Sequence, residues 1–319
     1  MSHPEAYPLH LIDLDQDLPG QRWFISCWAR TDPAAGPTFI VDPGPPSTAG
    51  RLMAALEELG LENLDFILLT HIHLDHGGCT ARVLERWPTA GVVCHPRGRA
   101  HLADPERLWR GSLEVLGRKV EVYGEPQPVP TEALVEYTEA EAAGFTVIET
   151  PGHAPHHICF LADGDLFLGE AAGTFSALGR GPDTAEHYLR PATPPRFDLE
   201  TARASLDRLL ALDPAPVTLR FAHHGAYAGD VTGLLRAARD QLALWAGVCR
   251  EVADRRGGVP TDPGAPESAA LLEDIADELR RRDPLYARGR ELPEDIRLRE
   301  TDFTRQSLRG MLEYLRDRG

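Results

Sequence analysis

Residues 67–78 read "ILLTHIHLDHGG", a run of aliphatic side chains that ends in three histidines and an aspartate. A short, continuous apolar run predicts a strand buried on both faces, and "DFILLTH" is such a run. His71, His73, Asp75 and His76 then crowd four cation-binding side chains into six residues. Buried without partners, that many polar groups would be costly. His71 and His73 are two apart, so on an extended chain end they point the same way. Asp75 and His76 follow at once, which predicts a loop whose side chains fan inward. Imidazole and carboxylate suit zinc, iron or manganese with no need for cysteine. A solvated histidine-rich turn is the weaker reading.

Around this stretch the 319-residue chain alternates short β-type runs with helical ones. "HLIDLD", "RWFISCWAR" and "PTFIVDPG" predict three consecutive strands, and "STAGRLMAALEELG" a helix with a Ser or Thr at its start and a Gly at its end. "GGCTARVLERW" predicts a second helix, and "GVVCHP", "FTVIETPGH", "HHICFLADG", "DLFLGEA" and "VTLRFAHHG" further strands. Beyond residue 225 no strand is evident. Three amphipathic helices are expected in "GDVTGLLRAARDQLALWAGVCREVADRRGG", "ESAALLEDIADELRRR" and "RQSLRGMLEYLRDRG". The expected division is a domain over 1–226 and a helical extension over 227–319.

The composition, with 42% hydrophobic and 26% charged residues, is that of a globular protein. A net charge of −16 disfavours nucleic acid as a partner, although residues 180–196, with Arg180, Arg190 and Arg196 against Asp183 and Glu186, are locally slightly basic. The five cysteines (Cys27, Cys79, Cys94, Cys159 and Cys249) form no CxxC pair. With no signal peptide or membrane-length apolar run, this predicts a cytoplasmic protein. The expected partner is a small-molecule substrate, with no membrane and a homodimer as an option.

"THIHLDHGG" resembles the HxHxDH signature of the metallo-β-lactamase superfamily, and "TPGHAPHH", "LFLGEAAG" and "RFAHHG" resemble its later ligand blocks in order. The likeness covers roughly residues 9–225. It implies an α/β fold, a four-layer αββα sandwich with its site at one sheet edge, here with an all-helical C-terminal extension. It further implies two divalent metals, zinc first and iron or manganese as alternatives. One would be held by His71, His73 and His153, the other by Asp75, His76 and His224, the last chosen over His223 because Gly225 follows it. Glu170 takes the bridging place where the family has Asp, so Glu170→Asp is expected to preserve or raise affinity for the second metal. Asp42 matches an acidic position that orients ligand imidazoles, although a turn-initiating Asp before Pro is a close rival.

Two divalent ions would support hydrolysis, with Asp75 orienting or deprotonating the attacking water. No GxSxG elbow suggests a serine mechanism. The resemblance narrows to glyoxalase II-like and quinolone-signalling thioesterases, hence a small ester or thioester. The rival expectations are a mononuclear iron dioxygenase acting on sulfur and a non-catalytic binding protein on the same fold. The long segment 173–198 follows Glu170, so His187, Tyr188 and Arg190 are candidate substrate contacts, Arg190 as a clamp for a carboxylate or phosphate. Trp109 and Tyr123 are candidate pocket walls, each with core packing as the commoner fate. For His156 and His157 a hydrogen bond to backbone is the default, and for Cys79 packing rather than reactivity.

Overall fold

The computed structural model describes residues 9–178 and 186–318; Arg180 and Asp183, two of the charges noted above, lie outside them. The described chain forms two compact units.

Of the described residues, unit 1 takes in those within Met1–Gln16, Arg22–Glu149 and Ile158–Asp163. The three expected strands are β1 (Leu9–Asp13), β2 (Ser26–Arg30) and β3 (Phe39–Val41), antiparallel in turn, with Trp28 opposite both Leu11 and Val41. Helix α1 (Ala49–Glu58) carries the chain to β4 (Phe66–Leu68), parallel to β3. Helices α2 (Leu74–Gly77) and α3 (Thr80–Arg86) then lead to β5 (Gly91–Val93), parallel to β4. The sheet order β1-β2-β3-β4-β5 gives β4 a neighbour on each side, and Ile67 and Leu68 are fully buried. That is the environment a continuous apolar run requires. Helices α4 (Pro96–Ala103), α5 (Glu106–Leu116) and α6 (Tyr137–Ala142) follow, α5 packing on α2. Strands β6 (Thr146–Glu149) and β7 (Ile158–Ala162) form an antiparallel pair with Ile148 opposite Cys159.

Of the described residues, unit 2 takes in those within Asp17–Gln21, Thr150–His157 and Gly164–Gly319. Strand β8 (Asp165–Gly169) runs parallel to β11 (Thr218–Phe221), and β9 (Thr174–Ala177) pairs antiparallel with β10 (His187–Arg190). Helix α7 (Leu199–Leu210) precedes β11, and the short β12 (Ala226–Tyr227) pairs with β11 just past the point where no strand was expected. Four helices follow: α8 (Val231–Arg255), α9 (Ala269–Arg282), α10 (Pro284–Ala287) and α11 (Glu294–Arg318). The change of character at residue 226 therefore falls inside unit 2, where α8 packs on α7, α9, α11 and β10. Among the described residues no helix is long and apolar enough to cross a membrane.

Helix α11 starts at Glu294, well before the stretch "RQSLRGMLEYLRDRG" that predicted it. The reason lies in what its first turns bury. Arg299, Glu300 and Thr304 are all buried, so an apolar periodicity cannot reveal this face. Glu300 accepts from Arg190 Nε at 2.7 Å and Arg299 Nε at 3.0 Å. Arg190 also donates to Ser307 Oγ at 3.3 Å, and Thr193 Oγ1 donates to the Ser307 carbonyl at 2.6 Å. A Cβ at Gly310 would stand 2.1 Å from the Thr193 carbonyl oxygen, so only glycine lets α11 cross this segment so closely. Asp283 does for α8 and α10 what Glu300 does for α11. Its carboxylate accepts from Gln241 Nε2 (2.8 Å) and Trp245 Nε1 (2.7 Å), and caps α10 through Leu285 and Tyr286 N–H.

Candidate metal centre

In unit 1 the ligand-capable residues stand over one buried carboxylate. Asp42 is 1% exposed and adopts φ 53°, a left-handed conformation rare outside glycine. Its N–H donates to the Leu68 carbonyl at 3.0 Å, so it is tied to the end of β4. Oδ1 accepts the Thr70 N–H (2.8 Å), and Oδ2 accepts the Thr70 hydroxyl (2.7 Å) and lies 3.1 Å from His76 Nδ1. A carboxylate only accepts, so His76 Nδ1 carries the proton. Thr70 Oγ1, its own proton given to Asp42, accepts in turn from His71 Nδ1 at 3.1 Å. In both rings Nε2 is left with its lone pair available to a cation. This is how a carboxylate fixes the tautomer of ligand imidazoles.

The His71 ring lies 4.5 Å from that of His73 and 4.0 Å from that of His76. His71 and His73 offer ligand atoms within 4.8 Å of each other, as do Asp75 and His76. The expected loop holds for His71 and His73, whereas Asp75 and His76 ride on the single-turn helix α2.

In unit 2 two separate segments, Thr150–His157 and the turn at His223, converge on Glu170, just past β8. Its Oε2 lies 3.0 Å from His153 Nε2, and its Oε1 lies 3.4 Å from His223 Nε2. Burial pushes this carboxyl up, but the His153 and His223 imidazoles outweigh it and hold Glu170 well below the usual carboxylate range. His153 Nδ1 donates to the Ala192 carbonyl at 3.1 Å, which again turns Nε2 toward the carboxylate. His157 is bonded to backbone as expected. Its Nε2 accepts the Glu170 N–H at 3.1 Å, and its Nδ1 is 2.8 Å from Thr150 Oγ1. His157 thereby sets the backbone from which Glu170 reaches out, a positioning role that no spacing in the sequence discloses.

The donor set fits divalent metal. In unit 1 it consists of His71 and His76, with Nδ1 engaged by Thr70 and Asp42 respectively, and the Asp75 carboxylate; in unit 2, of His153, with Nδ1 on the Ala192 carbonyl, His223 and the Glu170 carboxylate. A family model described as the metallo-beta-lactamase superfamily matches residues 23–219. The chain belongs to this superfamily. As a metallo-β-lactamase superfamily member it is 32% identical over 174 residues to a metallo-beta-lactamase fold-containing protein of Sulfurisphaera tokodaii, covering 52% of this chain and 62% of that protein. It is 30% identical over 226 residues to a hydroxyacylglutathione hydrolase of Dechloromonas aromatica, covering 70% and 68% respectively. The chain thus spans between about half and about two thirds of the length of the curated relatives it matches. The crystal structure of a metallo-beta-lactamase family protein of Thermus thermophilus aligns with a TM-score of 0.58 at 21% identity, covering 98% of this chain and 94% of that one. The fold is therefore the metallo-β-lactamase fold, and the likeness extends through the C-terminal helices.

Several expected roles need correction. His223, not His224, meets Glu170. The reason is the tight turn closed by the Phe221 N–H on the Gly225 carbonyl (3.0 Å), in which His224 takes φ 47°. Tyr188 and Arg190 share one face of β10 and are 1% and 3% exposed. Tyr188 packs against Tyr286 and Arg190 pairs with Glu300, so neither is a substrate clamp in this arrangement. His187, on the other face, stacks on Phe175 at 5.4 Å and meets the edge of Tyr227 at 5.1 Å. Trp109 lies half-buried on α5, and Tyr123 is buried. Cys79 is buried, which pushes its thiol up to about 12 and leaves it protonated at neutral pH.

Proposed function

We propose that the protein is a metal-dependent hydrolase of a small ester or thioester, working with two divalent ions, zinc first among them. In this reading one ion is held by His71, His73 and His153 and the other by Asp75, His76 and His223. Glu170 would serve both. The observation that carries the proposal is the splayed Glu170 carboxylate, which presents one oxygen to His153 and the other to His223. A glutamate that served one ligand group only would have no reason to face both imidazoles.

When bound, such ions lower the pKa of a water toward ~7 and draw charge off a substrate carbonyl. The chain supplies the rest. Asp42 and Ala192 hold the imidazoles in the tautomer a cation needs. Asp75, with its side chain 19% exposed and Oδ2 3.5 Å from His76 Nε2, is reachable by water and suited to orient it and take its proton. The ester or thioester class draws support from the relatives named hydroxyacylglutathione hydrolase.

Elemental analysis of protein purified without added metal or chelator tests this reading, followed by an assay against acyl thioesters and aryl esters. About two divalent ions per chain with thioester turnover is the expected result. A single iron with O₂ uptake and no hydrolysis would replace it with the dioxygenase reading. Metal-replete protein inert toward every ester would leave a binding protein on the same fold.

A further inference from the structure

The stretch "RPATPP" (190–195) leaves one residue with ordinary backbone freedom. Pro191, Pro194 and Pro195 have φ set by their rings, and Arg190 and Thr193 each precede a proline, which disfavours the helical region. Ala192 is under neither constraint. It is also the residue whose carbonyl accepts the His153 Nδ1 proton at 3.1 Å. A carbonyl on a loose peptide would orient an imidazole poorly, so the bond to His153 is only as firm as what holds Ala192 from either side.

One residue of α11 holds both sides. Ser307 Oγ donates to the Pro191 carbonyl at 3.2 Å, and the Ser307 carbonyl accepts the Thr193 hydroxyl at 2.6 Å. Ala192 thus lies between two contacts to the same helical position. Thr193 and Ser307 are buried, where water does not compete for these bonds and each is stronger than at the surface. The segment is also wedged from the Glu170 side. Gly173 donates its N–H to the Glu170 carbonyl at 3.0 Å, and a Cβ on it would stand 2.2 Å from the Arg190 carbonyl oxygen. The backbone before His153 is held separately, by Ser205 Oγ donating to the Pro151 carbonyl at 2.6 Å. The ring is therefore set by Ala192, and the chain that carries it by α7.

We propose that Ser307 and Thr193 are positioning residues for the metal centre. Acting through the Ala192 carbonyl, they keep the His153 Nδ1 proton engaged and the Nε2 side of the ring toward Glu170, where a cation would be held. The C-terminal helix α11 then takes part in building the site, 154 residues after the ligand it serves. This rests on the reading of His153 as a metal ligand and not on the reaction assigned to the metal.

Ser307→Ala and Thr193→Val remove the two hydroxyls, singly or together, and Thr193→Ser restores one. Ser307→Ala still leaves Arg190 Nη1 the Pro191 carbonyl at 3.2 Å, so that buried donor keeps an acceptor. Two measurements on the full chain test the proposal: exchange of the His153 Nδ1 proton with water, by NMR of stripped and of zinc-loaded protein, and zinc affinity by chelator competition. In the double variant exchange should quicken about tenfold or more. Zinc binding should weaken about threefold to tenfold, with each single change in between and Thr193→Ser like the wild type. Glu300→Gln removes the counter-charge of Arg190 but keeps both hydroxyls, so it controls for lost stability and should move neither readout at low temperature. Either readout unmoved by the double variant, or moved as far by Glu300→Gln, would overturn the proposal, as would a wild type that takes up no zinc. Zinc-loaded wild type without ester turnover would sink the hydrolase reading alone, because both readouts are independent of turnover.

Discussion

Residues 71–76 and 187–190 make an instructive pair. Each concentrates polar side chains, and each reads from the sequence as part of the site. The first keeps that character: Asp42 engages His76 Nδ1 directly and His71 Nδ1 through Thr70, which leaves the Nε2 side of each ring for other partners. The second does not. Arg190 is consumed by Glu300, 110 residues further along, and His187 is stacked on the Phe175 ring. What separates them is the partner each meets from elsewhere in the chain. An imidazole held through one nitrogen still has a second to offer a metal, whereas a buried guanidinium paired with a buried carboxylate has little left for a substrate.

The comparison breaks most visibly at His71. His71→Ala should strip at least one metal ion from each chain and lower ester or thioester turnover by about 10³ or more, equivalent to about 4 kcal/mol. Metal analysis alongside steady-state kinetics reads both effects. Retention of both ions would mean that the outward-facing nitrogens of unit 1 serve another purpose.

The second region should fail differently. Glu300→Gln leaves Arg190 and Arg299 as buried cations without their counter-charge and should destabilise the protein by about 3–5 kcal/mol. Metal content at low temperature should be unchanged. The pH dependence separates this from a generic loss. Burial raises the Glu300 carboxyl, but Arg190 and Arg299 outweigh it and hold it below the usual carboxylate range. A carboxyl depressed by folding stabilises above its unfolded pKa of ~4.3, and that contribution is lost as pH falls through the folded value. The wild type should therefore lose stability on acidification below ~4.3, and the variant should lack that part of the fall. A chemical-denaturation series across this range measures it. If Glu300→Gln instead raised KM with stability intact, Arg190 would be a substrate group after all.

Asp42→Asn probes the first region more gently. The amide would present N–H groups where Thr70 and His76 also donate, so metal affinity should drop about 10–100-fold with the fold retained. A competitive chelator titration reads the drop. No change in affinity would reduce Asp42 to the turn-former that its place before Pro43 also allows.

These cases show where a sequence is legible. The β4 core, the amphipathic α8 and the ligand cluster announce themselves because each is a local pattern: an apolar run, a helical period, a spacing of two. The site residues His153, Glu170 and the 223–224 pair were legible only as ordered blocks. The choice between His223 and His224 turned on a left-handed residue in a five-residue turn, which a glycine flags but does not orient. The start of α11 stayed hidden because its buried face is Arg299, Glu300 and Thr304, and hydrophobic periodicity has no entry for an ion pair. Arg190 is hidden for the same reason, its partner Glu300 lying on that unseen stretch of helix, and Tyr188 because it packs on Tyr286 of α10.

The smallest expected effect, and the sharpest, concerns Glu170. Sequence comparison alone favours Glu170→Asp as a repair that restores the shorter bridge of the family. The geometry argues the other way. His157 fixes the Glu170 N–H, so the backbone is not free to advance, and the two carboxylate oxygens already lie 3.0 and 3.4 Å from His153 and His223. Removing one methylene withdraws the carboxylate by up to ~1.5 Å and opens both approaches together. Under the two-ion proposal, affinity for the second ion should therefore fall about tenfold, with the first ion little changed. Calorimetric titration of metal into stripped protein resolves the two events. Pairing the change with His157→Ala, which frees the backbone, should recover part of the loss if His157 is what holds Glu170 back. Undiminished second-site affinity in Glu170→Asp alone would mean that the strand end can advance, and that glutamate here is a tolerated substitution rather than the length around which the site is built.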